Sequence, residues 1–274
     1  MIRYESFRFQ GASLEYFIGG SCGEPVVFIH GSMIADANAP LLKQWLMSKN
    51  HRLISYHRRG YAGSKYSGRP LTMSQQASEC LALMNYLNVP SAHIVAHSHG
   101  GAIALQLAID YPLFVHTLSL LEPALVDYIP KAQAIQKKFV PIIQTYEKGD
   151  KEVAIDQMLQ IVGGTAYRPT IEKILPGSFD QAVVDADGLF KIDMPAMRSW
   201  RVGQESLKKV NKPIHSFLGA DSQPMFRETC EVVLQWFPKS EMLVIPNATH
   251  WLQLTNPTSL AKGLASFFTK HAMK

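Results

Sequence analysis

Apolar and polar positions alternate with two different periods along the first half of the chain. Over 3–9 and 12–18 the period is two, interrupted by Gln10-Gly11, which predicts a pair of antiparallel strands. Pro25-Val26-Val27-Phe28-Ile29-His30 is continuously apolar, as a strand buried on both faces of a sheet must be. A helix is expected over 39–48, a short strand over 51–56, and a glycine-punctuated loop over 57–64. Helical spacing runs over 72–87, with Thr72 as N-cap and Asn88 and Pro90 closing it. Ala92-His93-Ile94-Val95-Ala96 reads as another buried strand. A helix rich in small residues follows from Gly101 and closes at Asp110-Tyr111-Pro112. A strand over 115–121 stops at Glu122-Pro123. Regular strand–helix alternation implies right-handed crossovers and a mostly parallel sheet.

The alternation then lapses. Helical patterns over 129–146, 151–162 and 179–187 are broken by Gly149, Gly163-Gly164, Pro169, Pro176-Gly177 and Pro195, and no buried strand is evident. Phe139, Tyr146, Met158, Tyr167, Phe179, Phe190, Met194, Met197 and Trp200 enrich this stretch. It predicts a helical cap at 124–205, inserted into a core made of 1–123 and 206–274. Most of these apolar residues must serve the cap's own packing. The sheet resumes over 213–218 and ends in Gly219-Ala220-Asp221-Ser222. A helix over 223–237 and a last strand over 241–245 follow, the latter ending in Pro246-Asn247-Ala248-Thr249-His250-Trp251. The closing helix starts at Asn256-Pro257.

Composition narrows this picture. The chain has 274 residues, 47% of them hydrophobic, which suits one large α/β domain with an insertion. A net charge of +5 without a long basic run argues against nucleic-acid binding. Cys22, Cys80 and Cys230 form neither a disulfide framework nor a zinc spacing, and read as reduced thiols of a cytoplasmic protein. Met1-Ile2-Arg3-Tyr4-Glu5 has no secretory apolar region, and no run approaches the length of a membrane span. His93, His97 and His99 are closely spaced, but a turn separates the last two and no carboxylate or cysteine completes a metal set. Packing and local hydrogen bonds account for them. Gly19-Gly20-Ser21 lacks the pattern of a dinucleotide loop.

The chemistry concentrates in Ala96-His97-Ser98-His99-Gly100-Gly101, a serine in a sharp strand-to-helix turn. Such a turn strains the serine backbone, holds its hydroxyl clear of the sheet and tolerates only small neighbours. It matches G-x-S-x-G with Ala96 in place of the first glycine. In an open parallel sheet the carboxyl ends of the strands share one edge, where ligands bind. His30-Gly31-Ser32, Ser98, Asp221 and His250 all fall there. The order serine, acid, histidine, together with a loop similar to D-x-R-G-x-G-x-S, Leu218-Gly219-Ala220-Asp221 and Asn247-Ala248-Thr249-His250, resembles the α/β-hydrolase superfamily. The likeness is to its capped esterases, C–C hydrolases and cofactor-free haloperoxidases, over essentially the whole chain.

The resemblance implies an eight-stranded, mostly parallel sheet, a Ser98–His250–Asp221 triad and an oxyanion hole. The hole would be formed by the backbone N–H groups of His99 and Ser32, with Met33 next in line. It implies no cofactor and no metal. Glu122 also ends a strand and is the second candidate for the acid; Asp221 is preferred because its loop matches the usual one. His57 stands where the family often carries Asp. The expected activity is hydrolysis of a small or medium apolar ester through an acyl-enzyme, on a small organic substrate. A C–C hydrolase of vinylogous diketones, with Arg168, Arg198 or Arg201 for a substrate carboxylate, is the alternative chemistry. A ligand receptor on the same fold is the alternative class. Ser98 in the nucleophile position disfavours epoxide hydrolase and haloalkane dehalogenase chemistry. Exposed cap aromatics would suit a homodimer.

Overall fold

The computed structural model describes residues 4–65 and 68–273. Arg3, the expected start of the first strand, lies outside them, as do Met1 and Ile2. Eight strands form one sheet in the order β1-β2-β4-β3-β5-β6-β7-β8. They are β1 (Glu5–Phe9), β2 (Ala12–Gly20), β3 (Glu24–Ile29), β4 (His51–Tyr56), β5 (Ala92–His97), β6 (Val115–Leu121), β7 (Ile214–Gly219) and β8 (Glu241–Ile245). Strand β2 runs antiparallel to β1 and β4, and every other pairing is parallel. This is the α/β-hydrolase fold that the sequence implies.

Alternation along the central strands sorts side chains between two layers. Val27, Ile29, Ile94, Ala96, Leu118 and Leu120 enter one core, and Val26, Phe28, Val95 and Leu121 the other. Helices α1 (Ala39–Leu42) and α2 (Trp45–Ser48) cover the second face. The expected single helix over 39–48 is split because Gln44 adopts extended backbone, at φ −68° and ψ 127°. Helices α3 (Met73–Tyr86) and α4 (His99–Asp110) cover the first face. Thr72 caps α3 reciprocally with Gln75, an arrangement worth about 1 kcal/mol.

Between β6 and β7 the described chain is helical and contains no strand. It forms α5 (Ala132–Glu147), α6 (Lys151–Gly163), α7 (Tyr167–Ile174), α8 (Ser178–Val184), a π-helical turn (Gly188–Asp193), α9 (Met194–Ser199) and α10 (Gln204–Leu207). Pro169, expected to break a helix, sits in the first turn of α7, where the missing N–H costs nothing, and Pro195, also expected to break one, sits in the first turn of α9, directly after the π-helical turn. These helices bury Leu159, Phe179 and Phe190 together with Met33, Ile34 and Trp251 from the sheet edge. Helices α11 (Pro224–Trp236), α12 (Leu252–Thr255) and α13 (Pro257–Lys270) complete the chain.

The start of α4 packs against the end of β3 with no room for a side chain. A Cβ on Gly100 would stand 2.4 Å from the Ile29 carbonyl oxygen and 2.7 Å from that of His30. Those are backbone atoms of a central strand and cannot step aside. Gly100→Ala should therefore lose about 3 kcal/mol in urea unfolding. Gly203→Ala, with nothing within 4 Å and no positive φ, should lose far less. Equal midpoints for the two would contradict the packing argument.

Candidate active site

Ser98 occupies the turn between β5 and α4 with φ 52° and ψ −119°. A non-glycine residue at positive φ costs about 1–3 kcal/mol and persists only where its surroundings hold it. Here the Ser98 N–H donates to the Leu121 carbonyl, and the Ser98 carbonyl accepts from the N–H groups of Gly101 and Ala124. The turn is thereby tied to the end of β6. On its other side lies the β3 loop, close enough that a Cβ on Gly31 would meet Ser98 Cβ at 2.9 Å.

His250 is buried, with its ring stacked on Phe226 at 3.7 Å between centroids and only 10° between planes. His97 donates from Nε2 to the His250 carbonyl at 2.8 Å. The carboxylate that meets the His250 ring belongs to Glu122, whose Oε2 lies 2.7 Å from Nδ1. Glu122 Oε1 accepts from the Gly219 N–H at 2.7 Å and from Ser222 Oγ at 2.5 Å. With a donor on each oxygen, this carboxylate fixes the imidazole as the Nδ1–H tautomer and leaves Nε2 as an acceptor. Burial pushes the His250 imidazole down to about 3, keeping it neutral at physiological pH. Burial pushes the Glu122 carboxyl up to about 7, against the donors from Ser222 and Gly219.

The sequence reading pairs Asp221 with His250, whereas the carboxylate beside the ring in this structure is that of Glu122. Its N–H is fixed to the Ala248 carbonyl at 2.9 Å, and its side chain is exposed. Gly219 and Ser222 of the same loop do approach the site, but they serve Glu122 from beside it. Glu122 is able to cross because it turns at φ 45° immediately after β6 and carries one more methylene than aspartate.

A second group of side chains beside Ser98 escaped the sequence analysis. Asp193, from the π-helical turn, is buried and accepts both Arg58 Nη atoms at 2.8 Å, Tyr61 Oη at 2.5 Å and Ser32 Oγ at 2.6 Å. His99 Nε2 lies 3.2 Å from Asp193 and 3.1 Å from Gln76 Oε1, two acceptors that require it to carry its proton there. Burial alone would raise the Asp193 carboxyl; the Arg58 guanidinium outweighs it and holds the group well below the usual carboxylate range. Burial pushes His99 down to about 4. One signal was available: an acid within the apolar run Leu189-Phe190-Lys191-Ile192-Asp193-Met194 must be paired when that run is buried.

Ser98, His99, Ser32 and Asp193 open into a cavity of about 590 Å³. Its wall is apolar and rich in methionine: Met33, Met158, Met194, Met197 and Met225, with Phe139, Leu189 and Phe226. Lys137, Arg198 and Arg201 also line it. Arg168 instead lies over the Phe179 ring. Among the described residues no group of three metal-ligating side chains is present.

A serine elbow, a buried carboxylate–imidazole pair and a helical insertion on this sheet define a class, and the chain belongs to the alpha/beta hydrolase family, whose sequence model matches residues 26–262. It is 24% identical over 269 residues to the dihydrolipoyllysine-residue acetyltransferase component of the acetoin cleaving system of Pseudomonas putida, covering 95% of this chain and 68% of that one. It is 22% identical over 268 residues to an sn-1-specific diacylglycerol lipase of Danio rerio, covering 92% and 81%. A thermophilic esterase from Thermogutta terrifontis superposes with a TM-score of 0.82 at 16% identity, covering 99% of this chain and 100% of that one, a likeness of fold. The chain is thus a hydrolase-superfamily protein, and no described helix is long and apolar enough to cross a membrane.

His57 sits buried between two carboxylates. Its Nδ1 lies 3.0 Å from Glu15 and its Nε2 3.2 Å from Asp36, with the Tyr4 ring tilted by 33° against it at 4.3 Å between centroids. Burial lowers its pKa, but the hydrogen bonds to Asp36 and Glu15 prevail and raise it above the ordinary value. A raised folded-state pKa contributes stability that is complete below the unfolded value near 6.5 and is lost as pH rises through the folded value. The stability difference between wild type and His57→Gln should therefore be largest at pH 5–6 and shrink toward pH 9. A difference that grows with pH would reverse this reading.

Proposed function

We propose that the chain is a serine hydrolase cleaving a small or medium apolar ester, with Ser98 as nucleophile, His250 as base and Glu122 as the acid. The observation that carries this reading is the Glu122–His250 contact of 2.7 Å beside the strained Ser98 turn. A serine hydroxyl attacks only when its proton is removed during attack, and the free Nε2 of a neutral imidazole is the group for that task. Ser98 Oγ adds to the acyl carbon as His250 takes the proton. The imidazolium that forms is stabilised by the carboxylate behind it. The tetrahedral oxyanion is received by the N–H groups of His99 and Ser32, donors worth about 2.7–4 kcal/mol each in such sites. Collapse expels the alcohol, protonated by His250, and leaves an acyl-enzyme. Water, activated by the same base, then releases the acid. The methionine-rich wall supports an apolar acyl or alcohol group of adaptable shape.

The test is labelling by a fluorophosphonate probe together with turnover of short p-nitrophenyl esters. Ser98→Ala should abolish labelling. Glu122→Gln should lower kcat about 10⁴-fold by stabilising the wrong tautomer, while Asp221→Asn should leave kcat unchanged. Folded wild type that takes no label would overturn the nucleophile assignment. A loss carried by Asp221→Asn in place of Glu122→Gln would overturn the assignment of the acid.

A further inference from the structure

The β3 loop is held from behind. Arg58 donates from Nε to the His30 carbonyl and from Nη2 to the Gly31 carbonyl, both at 3.1 Å. Its backbone N–H donates to His30 Nε2 at 2.9 Å, so His30 carries its proton on Nδ1 and gives it to the same Gly31 carbonyl at 2.6 Å. Among the described residues no peptide bond is cis. In a trans peptide the carbonyl of one residue and the N–H of the next lie in one plane and point in opposite directions. Two donors fixing the Gly31 carbonyl therefore fix the direction of the Ser32 N–H. The Ser32 hydroxyl is fixed separately, by Asp193 at 2.6 Å.

Asp193 reaches this loop from the insertion between β6 and β7, and the segment carrying it is closely seated. A Cβ on Gly188 would stand 2.6 Å from the Gly60 carbonyl oxygen, and one on Gly60 would stand 2.9 Å from Ile192. Asp185 accepts from the Ala62 N–H at 2.9 Å. Loop 57–64 and the π-helical turn thus interlock, and the forked Arg58–Asp193 contact lies at the centre of the joint. The lysine ammonium lacks that fork and could not hold both the carboxylate and the two carbonyls.

We propose that Arg58 and Asp193 are positioning residues for the Ser32 oxyanion amide, so that the hole is complete only while the Gly188–Asp193 segment is seated on loop 57–64. This rests on the serine-hydrolase reading above. It makes the inserted segment part of the reaction's electrostatics as well as the wall of its pocket. Asp193 touches neither substrate nor nucleophile in this role; it acts through Arg58 and Ser32.

The experiment compares wild type, Asp193→Asn, Arg58→Lys and Ser32→Ala, with kcat expressed per active site titrated by the phosphonate burst. That normalisation removes any fraction that fails to fold. Asp193→Asn and Arg58→Lys should lower kcat per titrated site about 10²-fold, the effect of losing one oxyanion donor, with KM nearly unchanged. Ser32→Ala keeps the amide but loses the Asp193 contact, and should show a smaller fall in the same sense. If the first two variants instead yield too few folded sites to titrate, Ser32→Ala decides, and an unchanged kcat there overturns the proposal. Fewer titrated sites at wild-type kcat in all three would assign a merely structural role and overturn it. Wild type that does not label at all would overturn the underlying hydrolase reading, a result distinct from either.

Discussion

The site depends on one close approach, that of the β5–α4 turn to the end of β3. Gly31 and Gly100 let two backbone segments meet where any side chain would collide, and the strained Ser98 lies between them. The local conformational cost at Ser98 is met by three backbone hydrogen bonds and by burial of the strands on either side. Once this approach is set, the remaining parts have little freedom. The β3 loop must run alongside the nucleophile, and the helix dipole of α4 points at the same spot.

Around that approach the protein buries an unusual amount of polar chemistry. Glu122 with His250 and Arg58 with Asp193 are two ionisable pairs almost entirely out of water. Removing charges from water costs several kcal/mol per ion, repaid only where every lone pair and proton finds a partner. Both carboxylates are well supplied, Glu122 with three donors and Asp193 with three neighbouring side chains besides His99. The second pair also joins the helical segment between β6 and β7 to the loop after β4, so the packing of that segment and the geometry of the site are one problem.

Much of this was legible in the chain. The central strands follow from apolar runs and their punctuation, because a strand buried on both faces has few alternatives in composition, and β1 and β2 follow from their alternation of apolar and polar positions. Ser98 and His250 draw the eye by their places at strand ends. The carboxylate that meets the His250 ring was harder to read. Asp221 has the familiar loop, and only geometry reveals that its backbone is committed to Ala248 while the longer Glu122 reaches across from the neighbouring strand. Helices α7 and α9 were missed because a proline in a first turn looks, in a sequence, like a proline that ends a helix. Asp193 and Arg58 meet across 135 positions of chain, a contact that no local pattern encodes.

The chain holds a carboxylate at the ends of both β6 and β7, one engaged with the histidine and the other idle at the surface. Strand-end acids on the same sheet are alternative addresses for a single role. A lineage that carries both can transfer the role from one to the other without passing through an ancestor that lacks an acid. The exposed Asp221 side chain is, in that sense, a spare part, carried on a loop whose Gly219 and Ser222 are already engaged with Glu122.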